Sequence, residues 1–251
     1  MQSRKCRATT FYFLEDIKMT NKKNEKSTKV CEGIERPNND TELVFIIDRS
    51  GSMAGFEGDT IGGFNSMIEK QKNEGEGTVY VSTVLFDNYS KVLHDRVAIT
   101  EVQPMTRREY YTGGCTALLD AVGGAIHHIG NVHKYARRED VPAHTIFIIT
   151  TDGMENASRD YTKKKVKEMI RYRTEKHGWE FIFVAANIDA IEAADSIGIR
   201  RERAANYRQT EDGFDKCYMA MNKFVTMSRC SSLAEEDVSW KEDLDRDESD
   251  K

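Results

Sequence analysis

Residues 41–53, TELVFIIDRSGSM, decide the fold. Leu43 to Ile47 is an unbroken apolar run rich in β-branched side chains, the pattern of a strand buried on both faces of a sheet. It ends on Asp48, and Ser50, Gly51 and Ser52 follow in a stretch that must turn. A carboxylate at the carboxyl end of a buried parallel strand faces the crevice where open α/β sheets bind ligands.

Outward from that strand the apolar periods alternate. Ile61, Phe64, Met67 and Ile68 recur at helical spacing. Val79 to Phe86 and Val92 to Ile99 read as strands joined by the tight turn Asp87-Asn88-Tyr89-Ser90, hence an antiparallel pair. Leu118, Val122, Ala125, Ile126 and Ile129 form a helical stripe. Gly123-Gly124 inside it is expected to let that helix pack closely on the sheet. Thr145 to Ile149 is a second buried strand, and a helix marked by Val166, Met169 and Ile170 follows Asp160. Phe181 to Ala185 is a strand, Ala190 to Ile197 a short helix, and Ala204 to Tyr207 a last short strand. Phe214, Cys217, Tyr218, Met221, Phe224 and Val225 line a final amphipathic helix, with Thr210 as its cap. The order β-α-β-β-α-β-α-β-α-β-α predicts an α/β fold. It is a Rossmann-like, doubly wound, mostly parallel sheet with one antiparallel edge strand and helices on both faces.

The 251 residues are 39% hydrophobic and 31% charged, enough apolar content for one core of ordinary size. No apolar run approaches the ~20 residues of a membrane helix, and none near the start resembles a secretory leader. The five cysteines at 6, 31, 115, 217 and 230 are widely spaced without a Cys-x-x-Cys, so they read as reduced thiols. The chain is therefore expected in the cytoplasm, with no membrane partner. The net charge of −5 argues against a nucleic-acid partner. Residues 1–40 show no helical or strand period, Met19 to Asn39 is rich in Lys, Asn, Glu and Ser, and the whole is expected to be a weakly ordered extension. Residues 231–251, with nine acidic and three basic side chains, are expected to be a solvated acidic tail. The folded domain is then 41–230.

Two further segments carry chemistry. Thr112-Gly113-Gly114-Cys115-Thr116-Ala117-Leu118 leads into the long helix and brings a hydroxyl to its start. Thr150-Thr151-Asp152-Gly153-Met154-Glu155-Asn156 follows the second buried strand and puts another carboxylate at a strand end. Each also has an ordinary structural use: Ser50, Ser52 and Asp152 in turns, and Thr116 as a helix cap. Cys115 reads as a small packing residue.

Taken together, these segments resemble the von Willebrand factor A domain over residues 41–230. Asp48, Ser50, Ser52, Thr116 and Asp152 match that family's metal-ion-dependent adhesion site, with no member missing. The text is similar to stand-alone bacterial members. The resemblance implies a non-enzymatic module. Its Mg²⁺, or Mn²⁺ or Ca²⁺, would be held by Ser50 and Ser52 directly and Thr116 directly or through water. Asp48 and Asp152 would lie in the first or second shell. The ion would bridge to an Asp or Glu of a protein partner, by family analogy within an AAA+ ATPase system. The rim would come from the loops around Arg49, Gly55 to Asp59, Asp87 to Ser90 and Glu155 to Arg159. Arg49 is either a solvated loop charge or a second contact for the partner's acid. The resemblance also implies a carboxyl-terminal helix, here Phe214 to Ser228, that can shift with the metal's ligands.

Other readings stay in view. Asp48 at a strand end also resembles the nucleophile of haloacid-dehalogenase-like, Mg²⁺-dependent phosphotransferases, but the second acid expected two residues on is Ser50. An acidic tail could instead bind neighbouring copies and build a scaffold. There is no Gly-x-Ser-x-Gly elbow and no P-loop. His127, His128 and His133 do not share a helix face and read as surface or packing residues.

Overall fold

The computed structural model describes residues 38–230 and 234–249. The expectations for residues 1–37, 231–233 and 250–251 fall outside them. Six strands form one sheet: β1 (Thr41–Asp48), β2 (Val79–Phe86), β3 (Ser90–Ala98), β4 (His144–Thr151), β5 (Glu180–Ala185) and β6 (Ala204–Asn206). Their order is β3-β2-β1-β4-β5-β6, all pairs parallel except β2 with the edge strand β3. This is the expected fold class.

Alternation along β1 divides the core. Leu43, Phe45 and Ile47 point into a cluster with Phe64 and Met67 of α1 (Glu57–Lys72) and Met221 and Phe224 of α5 (Glu211–Cys230). Val44 and Ile46 point into the other. There they meet α2 (Leu118–Tyr135), α3 (Lys163–His177) and α4 (Ala190–Ser196). With both faces covered, β1 has no polar side and must read as a continuous apolar run. Helix α5 is capped as expected, Thr210 Oγ1 accepting from Gly213 N at 3.2 Å. Among the described residues no helix is long and apolar enough to cross a membrane.

Three expectations change. The ordered domain begins before residue 41. Asn38 Oδ1 accepts from Ala143 N at 3.2 Å and Asp40 Oδ1 from Thr78 N at 2.7 Å, so both residues are stitched to loops at the amino ends of the strands. The tail is not simply solvated. Residues 239–241 form a 3-10 turn and Glu242–Ser249 a helix, α6. Trp240 and Leu244 are buried among the α5 side chains. The Trp240 ring meets Phe224 edge-on at 5.5 Å, and its Nε1 donates to Glu202 O at 3.0 Å. Arg203 holds Asp237 O and Ala234 O, and Lys241 Nζ donates to Ala204 O at 2.7 Å. Two apolar residues four apart, Trp240 and Leu244, outweigh the acids around them because one helical face is enough to bury both. Finally, Gly123 does not fit α2 to the sheet. A Cβ there would lie 2.3 Å from the Tyr161 ring, so this glycine makes room for the loop before α3, while Gly124 has open space.

The histidines stay apart. His128 pairs with Asp95 at the surface, and His133 is buried against Trp179 with its Nε2 3.5 Å from Glu42. His127 lies 3.3 Å from the Tyr161 hydroxyl.

Candidate functional site

β1 is the point where the winding of the sheet reverses, with β2 on one side and β4 on the other. The carboxyl ends of β1 and β4 therefore flank the crevice. Asp48 ends β1, and Asp152 directly follows β4.

Asp48 is fully buried. Its Oδ1 accepts from Ser50 N at 2.7 Å and its Oδ2 from the Thr151 hydroxyl at 2.6 Å. Burial raises its pKa, the two hydrogen bonds oppose that, and the nearby Asp152 adds to it. Asp152 is also buried. Ser52 Oγ donates to its Oδ1 at 2.6 Å and Gln209 Nε2 to its Oδ2 at 2.9 Å. The Ser50 and Ser52 hydroxyls lie 3.1 Å apart. Ser50 is buried and Ser52 is exposed, so the cluster opens outward through Ser52. Thr116 comes from the other side. A Cβ on Gly153 would lie 3.2 Å from Thr116 Oγ1 and 3.4 Å from Ser52 Oγ, so the two hydroxyls flank the space that Gly153 leaves free. All five expected residues thus converge.

The ordinary uses of these side chains do not account for them. Ser50 precedes a 3-10 turn, Gly51–Met53, without capping it. The N-cap of α2 is Ala117, with no side-chain bond; Leu119 N is taken by Glu155 Oε2 at 2.9 Å and Asp120 N by Ser158 Oγ at 3.1 Å. The Thr116 hydroxyl is thus relieved of capping. Asp152 accepts from side chains of distant segments and not from its own turn.

Several residues that hold the site have no sequence signature. Asn156 Oδ1 accepts from Thr116 N at 2.9 Å, and Asn156 N donates back to Thr116 O at 3.1 Å. Asn88 Oδ1 accepts from Cys115 N at 2.9 Å. A Cβ at Gly114, where φ is +79°, would fall 2.1 Å from that same oxygen, so glycine is required there. Tyr110 Oη donates to Asp48 O at 2.7 Å from a fully buried ring.

Arg49 departs from both expectations. It is neither solvated nor open to a partner: only 7% of its side chain is exposed, and Nη2 pairs with Asp87 at 2.8 Å. The Tyr111 ring lies over the guanidinium at 4.8 Å. Gly113 N donates to Arg49 O, which folds the following loop across it.

Solved structures with the same architecture fix the fold. One is the proximal thread matrix protein 1 of the mussel byssus with a zinc-occupied MIDAS motif. It has 16% identity and a TM-score of 0.53, over 76% of this chain and 46% of that one. Another is a von Willebrand factor type A protein from Catenulispora acidiphila, with 12% identity and a TM-score of 0.52, over 78% of this chain and 44% of that one. The chain has the von Willebrand factor A fold. It spans less than half the length of these two structures. No protein-family model matches it, and no curated protein does.

Within that A-type fold, the five side chains offer two carboxylates and three hydroxyls, an all-oxygen set suited to a hard divalent cation. Among the described residues no group of three or more His, Cys, Asp or Glu that could hold a metal ion occurs. The glycine-bounded space beside Thr116 and Ser52 fits the same reading.

Proposed function

We propose that the chain is a cation-dependent protein-binding module: Mg²⁺, or Mn²⁺ or Ca²⁺, held at Asp48, Ser50, Ser52, Thr116 and Asp152, bridges to an acidic side chain of a partner protein. The observation that carries this is the disengagement of the Ser50 and Thr116 hydroxyls from capping, while both carboxylates are already engaged by donors of the chain. The hydroxyls are then the nearest donors, and the aspartates act from behind them.

A bound divalent cation supplies an electrophilic centre that attracts a carboxylate from outside. Asp152, engaged by Ser52 and Gln209, orients the Ser52 hydroxyl with its hydrogen turned inward and its lone pairs outward. Asp48 accepts from the backbone N–H of Ser50 and so fixes the turn that carries the Ser50 hydroxyl. Two buried carboxylates balance a dication in charge, while neutral hydroxyls in the nearest positions leave it attractive to a third.

The phosphotransferase alternative loses its main support. A nucleophilic Asp48 would need an oxygen open to substrate, but both oxygens are occupied and the residue is fully buried. The scaffold alternative needs a free acidic tail, whereas residues 239–249 are helical and anchored through Trp240 and Leu244. A non-enzymatic role in the cytoplasm, with an AAA+ ATPase system as the partner's setting, completes the reading. The free cysteines at 115, 217 and 230 are in keeping with a reducing compartment.

The test is calorimetric titration of Mg²⁺ and Mn²⁺ into wild type and Asp152→Ala, with folding of both checked. Saturable binding to wild type that disappears in the variant is expected. Equal binding by both proteins would remove the site.

A further inference from the structure

The loops around the site carry exposed apolar side chains that the core does not need. Tyr111 is 53% exposed and Met154 72%. Met154 follows Gly153, the residue whose missing side chain leaves space beside Thr116 and Ser52. Tyr111 is stacked on Arg49, the residue between Asp48 and Ser50. Tyr89 is 77% exposed and follows Asn88, which grips the Thr116 loop.

Tyr111 is exposed but not loose. The guanidinium beneath it is buried and pinned by Asp87, and Arg49 Nε and Nη1 make no hydrogen bond. The ring therefore lies against a desolvated cation, where a cation–π contact is strongest. An exposed aromatic ring held in place in advance loses little side-chain entropy when a partner covers it, which is the property of interface hot spots.

Three charged side chains closest to the site are already engaged. Arg49 is neutralised by Asp87. Glu57 accepts from the Thr112 hydroxyl and from Gly55 N. Glu155 accepts from Leu119 N, Ala157 N, Ser158 N and the Ser158 hydroxyl. Next to the cation site itself the charges are engaged; the exposed Arg159 and half-buried Asp59 lie further along the rim.

We propose that Tyr111, held in place on Arg49, and Met154, with Tyr89 at the edge, form an apolar seat beside the cation site, and that it selects a protein segment whose bridging Asp or Glu is flanked by an aromatic or aliphatic side chain. This rests on the cation bridge proposed above and adds the specificity that the bridge alone lacks.

The experiment uses immobilised 15-residue peptides with one central Glu, flanked by Phe, Leu, Gly, Lys or Asp, probed with the full chain in Mg²⁺ and again in EDTA. Phe- and Leu-flanked peptides are expected to bind about fivefold or more tightly than Gly- or Lys-flanked ones. Tyr111→Ser and Met154→Ser should each lower that ratio while leaving calorimetric Mg²⁺ affinity unchanged. Equal, EDTA-sensitive binding of all Glu peptides would overturn the seat and leave the bridge standing, as would a preference that survives both substitutions. Absence of any Glu-dependent, EDTA-sensitive binding would overturn the bridge and the seat with it.

Discussion

Gln209 Nε2 donates to Asp152 Oδ2 at 2.9 Å, while its own Oε1 accepts from Asn187 Nδ2 at 2.6 Å. The residue just before the Thr210 cap of α5 is thus tied to the carboxylate that follows β4. With one oxygen of Asp152 held by Gln209, the other accepts from Ser52. Gln209→Ala is expected to weaken Mg²⁺ binding about tenfold, the usual effect of losing a hydrogen bond behind a ligand. Thermal unfolding should barely move, because Gln209 is not a core residue. Calorimetry and a melting curve on the same sample check both.

The anchored tail gives a stability prediction. Trp240 fills a site against Phe224, and its indole N–H is satisfied by Glu202 O. Trp240→Ala should cost about 3–5 kcal/mol, as large-to-small core changes do. Deleting residues 234–251 should cost at least as much, since Arg203 loses Asp237 O and Ala234 O, and Ala204 O loses the Lys241 ammonium, as well. Urea midpoints measure both. A tail of merely solvated acids would leave the midpoint unmoved.

What the sequence makes legible follows from locality. Asp48 and Asp152 are readable because each ends an apolar run, and a strand's end fixes where its last side chain lies. Thr116 is readable because glycines and a helical stripe flank it. Asn88, Asn156 and Gln209 are not, because each acts on a backbone or carboxylate far along the chain and lies in an ordinary polar turn. Arg49 is misread for a related reason. Its exposure depends on the loop carrying Tyr111 and Gly113, sixty-odd positions on, closing over it. The tail is misread because its composition is acidic, whereas its burial depends on two side chains, Trp240 and Leu244.

The adjacent glycines of α2 should respond with opposite signs. Gly123 faces the Tyr161 ring, which a methyl would meet at 2.3 Å; Gly124 has nothing within 4 Å. Gly123→Ala is expected to destabilise by about 1–3 kcal/mol through overpacking. Gly124→Ala should stabilise by up to about 1 kcal/mol through helix propensity alone. Two urea titrations against wild type decide it. The same sign for both would mean that α2 does not meet the Tyr161 loop as described.

His94 sets an acid limit on stability. It is half-buried on β3, its ring stacked on Phe64 at 6.3 Å and its Nδ1 3.0 Å from the Thr83 hydroxyl. Burial lowers its pKa below the ordinary 6.5, with Glu109 opposing weakly. In the unfolded chain the imidazole protonates near 6.5, but in the folded chain it does so only at lower pH. The stability that rests on neutral His94 is therefore complete above about pH 6.5 and is lost as pH falls through the depressed folded value. His94→Gln keeps a polar side chain beside Thr83 without the titration. Urea unfolding from pH 8 down to pH 5 should show wild type losing stability below pH 6.5 more steeply than the variant. Parallel curves would mean that His94 titrates as it does in the unfolded chain.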